Sequence, residues 1–136
     1  MKIIKNKWIP FRGFSCMNIL GLLFVRTTTE LPNKVIRHET IHTCQQYEIL
    51  AVSALISLVL SNIYASWWYL LGVVAMPLAL YVLAWLLEII LPPYNSAYKD
   101  SPFEREAYHN EHHINYFLYR PLFAWVKYIL KSRNIK

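Results

Sequence analysis

The chain has 136 residues and a formal charge of +6, with 56% hydrophobic but only 16% charged residues, against about 25% charged in typical globular proteins. Its length suits one folding unit, residues 1–136. Half of the fourteen Lys and Arg precede an apolar centre and half follow it. That distribution is expected beside an anionic lipid leaflet. We therefore expect a membrane bilayer as partner and no nucleic acid.

The N-terminal segment, residues 1–32, is predicted to form a β or interfacial element. Aliphatic and β-branched residues over positions 17–29 indicate a strand, paired with residues 3–11 through a turn near Gly13. A membrane-dipping helix over residues 14–25 is the alternative.

The apolar centre contains no Asp, Glu, Lys, Arg or His between positions 49 and 87. As a helix, this run would be about 58 Å long, roughly twice the hydrocarbon thickness of a bilayer. The sequence predicts one helix over residues 33–62 and a second span over residues 65–91, which ends at Pro92. The connecting turn has no Lys or Arg, so the positive-inside bias predicts that both termini are cytoplasmic. A buried hairpin of a soluble protein is the competing interpretation.

Two further helices are predicted after the centre. Ser101 and Pro102 are typical of a helix start, and this helix should cover residues 102–119 before Pro121. The stretch LFAWVKYILK predicts an interfacial basic helix over residues 122–132. The expected fold class is mostly α: a two-span membrane helical hairpin with a short N-terminal β element and interfacial helices.

The motif HETIH begins the first long helix. His38 and His42 are four residues apart, so their side chains lie about 40° apart on one helical face and can bind one ion. Glu39 lies beside them as a candidate general base, an arrangement typical of zinc metallopeptidases. Gln45 shares the histidine face and is expected to add a hydrogen bond to it.

A catalytic zinc usually takes three protein ligands, so a third must come from another segment. The stretch SPFEREAYHNE offers Glu104 and Glu106. Glu104 and Tyr108 share one helical stripe with Glu111, whereas Glu106 shares another with His109 and His113. Only one of these stripes can face the metal, and the residue spacing does not decide which.

HETIH followed, after the apolar centre, by FEREA resembles the integral-membrane glutamate zincins, a group of zinc metallopeptidases. The resemblance implies that Glu104 is the third Zn²⁺ ligand, with Glu106 as second choice. It sets Tyr108 where those families commonly have Asp, and there Tyr108 could donate a hydrogen bond to a developing oxyanion. The order IPFRGF, LGLLFVR, HETIHTCQQYEIL, FEREAY also resembles a family of small bacterial membrane proteins. This resemblance implies a location in a bacterial inner membrane and does not indicate any particular activity.

Two iron-binding alternatives use the same residues differently. One is a carboxylate di-iron centre built from paired E-x-x-H motifs, with further carboxylates from elsewhere. Its candidate ligands are Glu39, His42, Glu106 and His109, with Glu48 or Glu88. The other is a histidine-box site that adds His112 and His113, although such sites need about eight imidazoles and the chain has five. Glu88 is otherwise expected to pair with a flanking arginine such as Arg37.

The function that these residues indicate is a membrane-embedded zinc metallopeptidase, which hydrolyses a peptide bond with metal-activated water at the cytoplasmic membrane surface. The resemblance to zincins implies that a strand over residues 20–28 pairs along its edge with an extended peptide or protein substrate. A non-catalytic membrane scaffold with a structural metal is the remaining alternative. The sequence does not indicate an oligomeric state.

Overall fold

A computed structural model describes residues 1–8, 16–28, 30–90 and 101–130. The strands are β1 (Lys2–Asn6), β2 (Cys16–Ile19) and β3 (Leu22–Arg26). The α-helices are α1 (Asn33–Ile63), α2 (Gly72–Ile90), α3 (Pro102–Asn110), α4 (Tyr116–Tyr119) and α5 (Lys127–Leu130), with 3₁₀ turns at Trp67–Leu71 and Ala124–Val126. The fold is mostly helical with a small N-terminal sheet, as predicted.

The sheet differs from the predicted hairpin. Its strand order is β1-β3-β2, with β1 parallel to β3 and β2 antiparallel to β3. The predicted pairing of this stretch with the N-terminal residues is present, since β3 pairs with β1, but the pairing is parallel. The helix considered for residues 14–25 is wrong, and the strand expected over residues 17–29 is divided into β2 and β3. They are joined by Leu20 and Gly21, both at positive φ (47° and 81°), as two-residue primed hairpin turns require. The turn expected near Gly13 lies outside the described residues.

The Leu20–Gly21 turn depends on α1. The backbone N–H of Leu20 donates to Gln46 Oε1 at 2.6 Å, and the Tyr47 hydroxyl donates to the Leu20 carbonyl at 2.9 Å. Leucine rarely adopts positive φ, so Gly21 is the one residue of this turn that favours its conformation. Contacts with the helix supply the stabilisation that the local sequence lacks.

The central position of β3 overturns one prediction. Residues 20–28 were expected to pair with an extended substrate, but β3 is hydrogen-bonded to β1 on one side and β2 on the other. A strand with both neighbours in place has no free backbone groups to offer a third strand. Any strand addition would have to use an outer strand.

α1 continues without a break from the HETIH motif into the apolar centre, as the predicted helix over residues 33–62 requires. Among the described residues, α1 is the one helix long and apolar enough to cross a membrane. The following apolar stretch, Trp67–Leu80, is shorter than a spanning helix. The structure therefore supports one candidate span.

Small residues allow the start of α2 to approach α1 closely. Ser53 and Ser57 are buried on α1, and a Cβ added to Gly72 would lie 2.7 Å from Ser57 Oγ. Small residues at helix contacts are typical of helix pairs in membranes, where close van der Waals packing drives association.

The predicted helix over residues 102–119 is interrupted. α3 begins as expected at Pro102, with Ser101 Oγ accepting a hydrogen bond from the Glu104 N–H, but it ends at Asn110. A continuous helix would hold Tyr116 about 15 Å from Glu106. Instead the chain folds back, and Tyr116 packs with Ile41 and Ala107 in the core between α1, α3 and α4.

The segment over residues 122–132 also differs from the single interfacial helix predicted. It forms a 3₁₀ turn and the short helix α5, and residues 131–136 lie outside the described chain. Trp125 packs against Phe103 with ring centroids 4.8 Å apart. The hydroxyl of buried Tyr128 accepts a hydrogen bond from Asn110 Nδ2 at 3.0 Å. One side of this segment therefore packs on α3.

We predict that Gly72→Val destabilises the protein by about 1–3 kcal/mol, the usual cost of overpacking, because the added atoms collide with Ser57. The measurement is thermal unfolding in detergent. Gly72→Ala should cost less, since the Ser57 hydroxyl can rotate away, and Ser57→Ala should restore part of the loss in the Gly72→Ala background. An unchanged Tm in Gly72→Val would contradict the close approach of α1 and α2.

Candidate metal centre

Two helices bring three candidate metal ligands together. The Nε2 atoms of His38 and His42, one turn apart on α1, are 3.1 Å apart. Glu104 comes from the first turn of α3: its Oε2 lies 3.2 Å from His38 Nε2 and its Oε1 lies 3.3 Å from His42 Nε2. These three side chains form a group that could hold a metal ion. All three were named from the sequence.

The far nitrogen of each imidazole faces a hydrogen-bond acceptor. His38 Nδ1 lies 3.0 Å from Glu111 Oε2, and His42 Nδ1 lies 2.8 Å from Gln45 Oε1. With Nδ1 as the donor in both rings, the Nε2 lone pairs point at each other and at Glu104. Metal-bound histidines in proteins are oriented in this way. The expected contact from Gln45 is present, whereas Glu111 was not assigned this role, although its stripe with Glu104 on α3 pointed to it.

Gln45 is itself fixed in orientation. Its Nε2 donates to the Phe103 carbonyl and to Glu106 Oε2, both at 3.0 Å. The amide group must therefore present its oxygen, and not its nitrogen, to His42.

Glu106, the second choice for the third ligand, is occupied elsewhere. Its Oε1 accepts hydrogen bonds from Arg120 Nε at 2.7 Å and from the Tyr116 hydroxyl at 3.0 Å. Burial and the Glu106 carboxylate raise the pKa of the Tyr116 phenol, which therefore keeps its proton and donates it. Arg120 also binds Glu48. Glu106 thus acts as a buried anchor for Gln45 and does not face the histidine pair.

The two imidazole nitrogens and the two oxygens of Glu104 are spaced like the ligands of one metal ion. Two ligands bound to zinc at tetrahedral angles lie about 3.3 Å apart, close to the separations of 3.1 to 3.3 Å found here. Glu104 Oε2 is buried, and when the histidine lone pairs face it, no described residue donates a hydrogen bond to it. Burial raises the pKa of Glu104, but hydrogen bonds from His38 and His42, when their Nε2 atoms carry protons, outweigh burial and lower the pKa to about 2. A charged carboxylate and two imidazole nitrogens are a suitable donor set for a divalent cation.

Glu39, the candidate general base, contacts the sheet. Its Oε1 accepts a hydrogen bond from the Cys16 thiol of β2 at 3.3 Å. Burial and the adjacent Glu39 carboxylate raise the pKa of Cys16 to about 12, so the thiol stays protonated. No sequence pattern links Cys16 with Glu39, 23 positions away, because their contact depends on how the sheet docks on α1.

Tyr108 lies at the edge of the centre. Its ring packs edge-on against His38, with centroids 4.8 Å apart, and the residue is 42% exposed. Burial and the nearby Glu104, Glu111 and Glu39 carboxylates raise the pKa of its phenol. The hydroxyl therefore remains a proton donor at neutral pH.

Of the described residues that the iron alternatives would add to His42 and Glu39, none is brought to this centre. Glu48 and Glu106 are both bound to Arg120, and the His109 ring packs against Tyr128 at 5.9 Å. His112 and His113 are exposed. The side chain of Glu88 lies outside the described part of the structure, while Arg37 Nε, its expected partner, donates to the Glu111 carbonyl at 2.7 Å.

We predict that Glu111→Ala weakens zinc binding by about 10- to 100-fold, the usual effect of removing a carboxylate that orients a metal-bound histidine. Competition with a chromophoric chelator measures the affinity. Glu111→Gln keeps an oxygen acceptor for His38 and should lose less. Lys34→Ala is the matched control, because Lys34 binds the other oxygen of Glu111 at 3.0 Å. Equal affinities in Glu111→Ala and wild type would show that Glu111 does not orient His38.

Comparison of the chain with protein-family models, with curated proteins and with solved structures finds no match. The case for function therefore depends on the geometry of the side chains around His38, His42 and Glu104.

Proposed function

We propose that the protein is a membrane-embedded zinc metallopeptidase. The observation that carries this proposal is the meeting of His38, His42 and Glu104 in one potential metal site, with Glu39 next to the first histidine on the same helix. This is the side-chain set that the resemblance to glutamate zincins implies, and Glu104 reaches it from a separate helix.

Each side chain has a distinct part in the proposed reaction. His38, His42 and Glu104 hold the zinc ion, which when bound would polarise the substrate carbonyl and lower the pKa of a water molecule. Glu39 accepts a proton from the attacking water and returns it to the amine nitrogen as the C–N bond breaks. Tyr108, kept protonated, donates a hydrogen bond to the oxygen that gains negative charge.

Cys16 leaves part of Glu39 free for this role. Its thiol donates to Oε1 of Glu39, so Oε2 remains to receive a proton. A thiol with a pKa near 12 carries almost no thiolate at neutral pH. It is therefore a poor nucleophile, and its contact with Oε1 orients the Glu39 carboxylate.

The outer strand β2 offers a substrate only part of its length. Gln46 of α1 donates to the Asn18 carbonyl at 3.1 Å and accepts from the Leu20 N–H. These contacts cover the backbone near the hairpin turn. An extended peptide would therefore approach the Cys16 end of β2, which is also the end nearest Glu39.

Membrane residence is supported by α1 and by the charge pattern. Leu55 and Ile63 of α1 are exposed by 63% and 67%, and no charged residue occurs from position 49 to 87. We propose that α2 completes a two-span hairpin, with both termini on the cytoplasmic side of a bacterial inner membrane. The centre would then act on peptide or protein substrates at the membrane surface.

A non-catalytic scaffold with a structural metal is the second candidate. It is favoured by the burial of Glu104, whose residue is 5% exposed, since closed sites are typical of structural zinc. The two candidates differ in whether Glu39 is needed.

The test is to purify the full chain in detergent, measure its metal content, and follow cleavage of a fluorogenic peptide library. We expect one zinc per chain in wild type and in Glu39→Gln, with cleavage lost in the variant because the proton acceptor is gone. His38→Ala should lose both zinc and cleavage. Zinc retained without cleavage in wild type would favour the scaffold, and two irons per chain would contradict the zinc site.

A further inference from the structure

Three consecutive residues of α1 hold two other parts of the chain. Gln46 and Tyr47 bind the backbone of Leu20 in the β2–β3 turn, and the Glu48 carboxylate binds Arg120 just after α4. Successive residues on an α-helix are about 100° apart, so Gln46 and Glu48 project about 200° apart. The two attached segments therefore flank α1 on nearly opposite sides.

The β2–β3 turn lies at a definite height along α1. Cys16 contacts Glu39, and Leu20 contacts Gln46 and Tyr47. β2 rises about 13 Å from Cys16 to Leu20, and α1 rises about 12 Å from Glu39 to Tyr47. β2 thus runs alongside α1 in the same direction, and its turn ends beside Tyr47.

Both flanking segments expose large apolar side chains at this height. We call them the collar, and its members are Ile19, Leu20, Leu22, Leu118, Tyr119 and Leu122. Leu118 and Leu122, on either side of Arg120, are 80% and 78% exposed. The collar lies immediately before the apolar part of α1, whose exposed side chains begin near Val52, about 8 Å beyond Tyr47.

We propose that the collar is a membrane-contacting surface that inserts into the bilayer interface around α1 and sets the depth at which the protein sits. It continues the apolar surface of the candidate span, and a lipid leaflet surrounds a spanning helix on all sides. A flat protein partner or a second copy of the chain would cover one flank of α1. A leaflet contacts both flanks at the same height.

The collar also determines how far the metal centre lies from the bilayer. His42 lies about 8 Å and His38 about 14 Å along α1 from Tyr47, on the side away from the span. The inference about substrates that follows rests on the proposed peptidase function, whereas the proposal of the collar requires only that the protein resides in a membrane. A substrate would present its scissile bond within about 15 Å of the bilayer interface. A peptide bond in the first residues that follow a membrane anchor meets this condition.

The test uses spin labels on the full chain in nanodiscs of phosphatidylcholine and phosphatidylglycerol. The background is Cys16→Ser with Cys44→Ser, and the labelled variants are Leu22→Cys and Leu122→Cys. Thr28→Cys, exposed beyond the far end of β3, is the aqueous control, and Leu55→Cys is the control within the span. Ile19→Cys and Leu118→Cys replace any collar variant that loses the thermal transition.

We expect the labels at positions 22 and 122 to be severalfold less accessible to a water-soluble nickel complex than the label at Thr28, and more accessible to oxygen. Access equal to that at Thr28 would overturn the collar while leaving the span intact, provided that Leu55 is in lipid. Labels shielded from both reagents would indicate a protein partner or a second copy, which also overturns it. A water-exposed label at Leu55 would overturn membrane residence itself, independently of any result on peptide cleavage.

Discussion

The structure depends most on the buried carboxylate of Glu106, which joins α1 to the chain beyond α3. It receives hydrogen bonds from Arg120 and Tyr116 at one oxygen and from Gln45 at the other. Burying a charge is costly unless it is paired and hydrogen-bonded, and these contacts meet that condition. Because Gln45 must donate to Glu106, its oxygen faces His42, and the His42 lone pair then faces Glu104. The hydrogen bond between Gln45 of α1 and Glu106 of α3 thus orients a candidate metal ligand.

α1 carries different chemistry along its length. Its first turns present His38, His42 and Glu39; its middle, from Gln46 to Glu48, holds the sheet and Arg120; the remainder exposes apolar side chains. The same helix therefore sets the candidate metal centre, the docking of the N-terminal sheet and the height of the collar. On this account, depth in the membrane and the position of the metal centre are fixed by one rigid element. A shift of the centre relative to the bilayer would require α1 itself to move.

The features that depend on residues close together in the sequence were predicted correctly. The four-residue histidine spacing, the helix start at Ser101 and the continuous helix from the motif into the apolar centre follow from helical periodicity and capping, and the structure contains all three. The Leu20–Gly21 turn and the end of α3 at Asn110 were missed because both depend on partners far along the chain. Tyr47 holds the turn, and the chain reversal brings Tyr116 to Ile41 and Arg120 to Glu48. The choice between Glu104 and Glu106 could not be made from spacing, since Arg120, which occupies Glu106, lies 14 positions away.

The central claim is that the Nε2 atoms of His38 and His42 and the carboxylate of Glu104 share one zinc ion. X-ray absorption at the zinc edge of the purified, zinc-loaded protein tests it most directly. The account predicts a first shell of nitrogen and oxygen only, at about 2.0–2.2 Å, with the outer-shell scattering of two imidazoles. A sulfur scatterer at about 2.3 Å would assign the metal to a cysteine instead, and the absence of imidazole scattering would contradict the histidine pair.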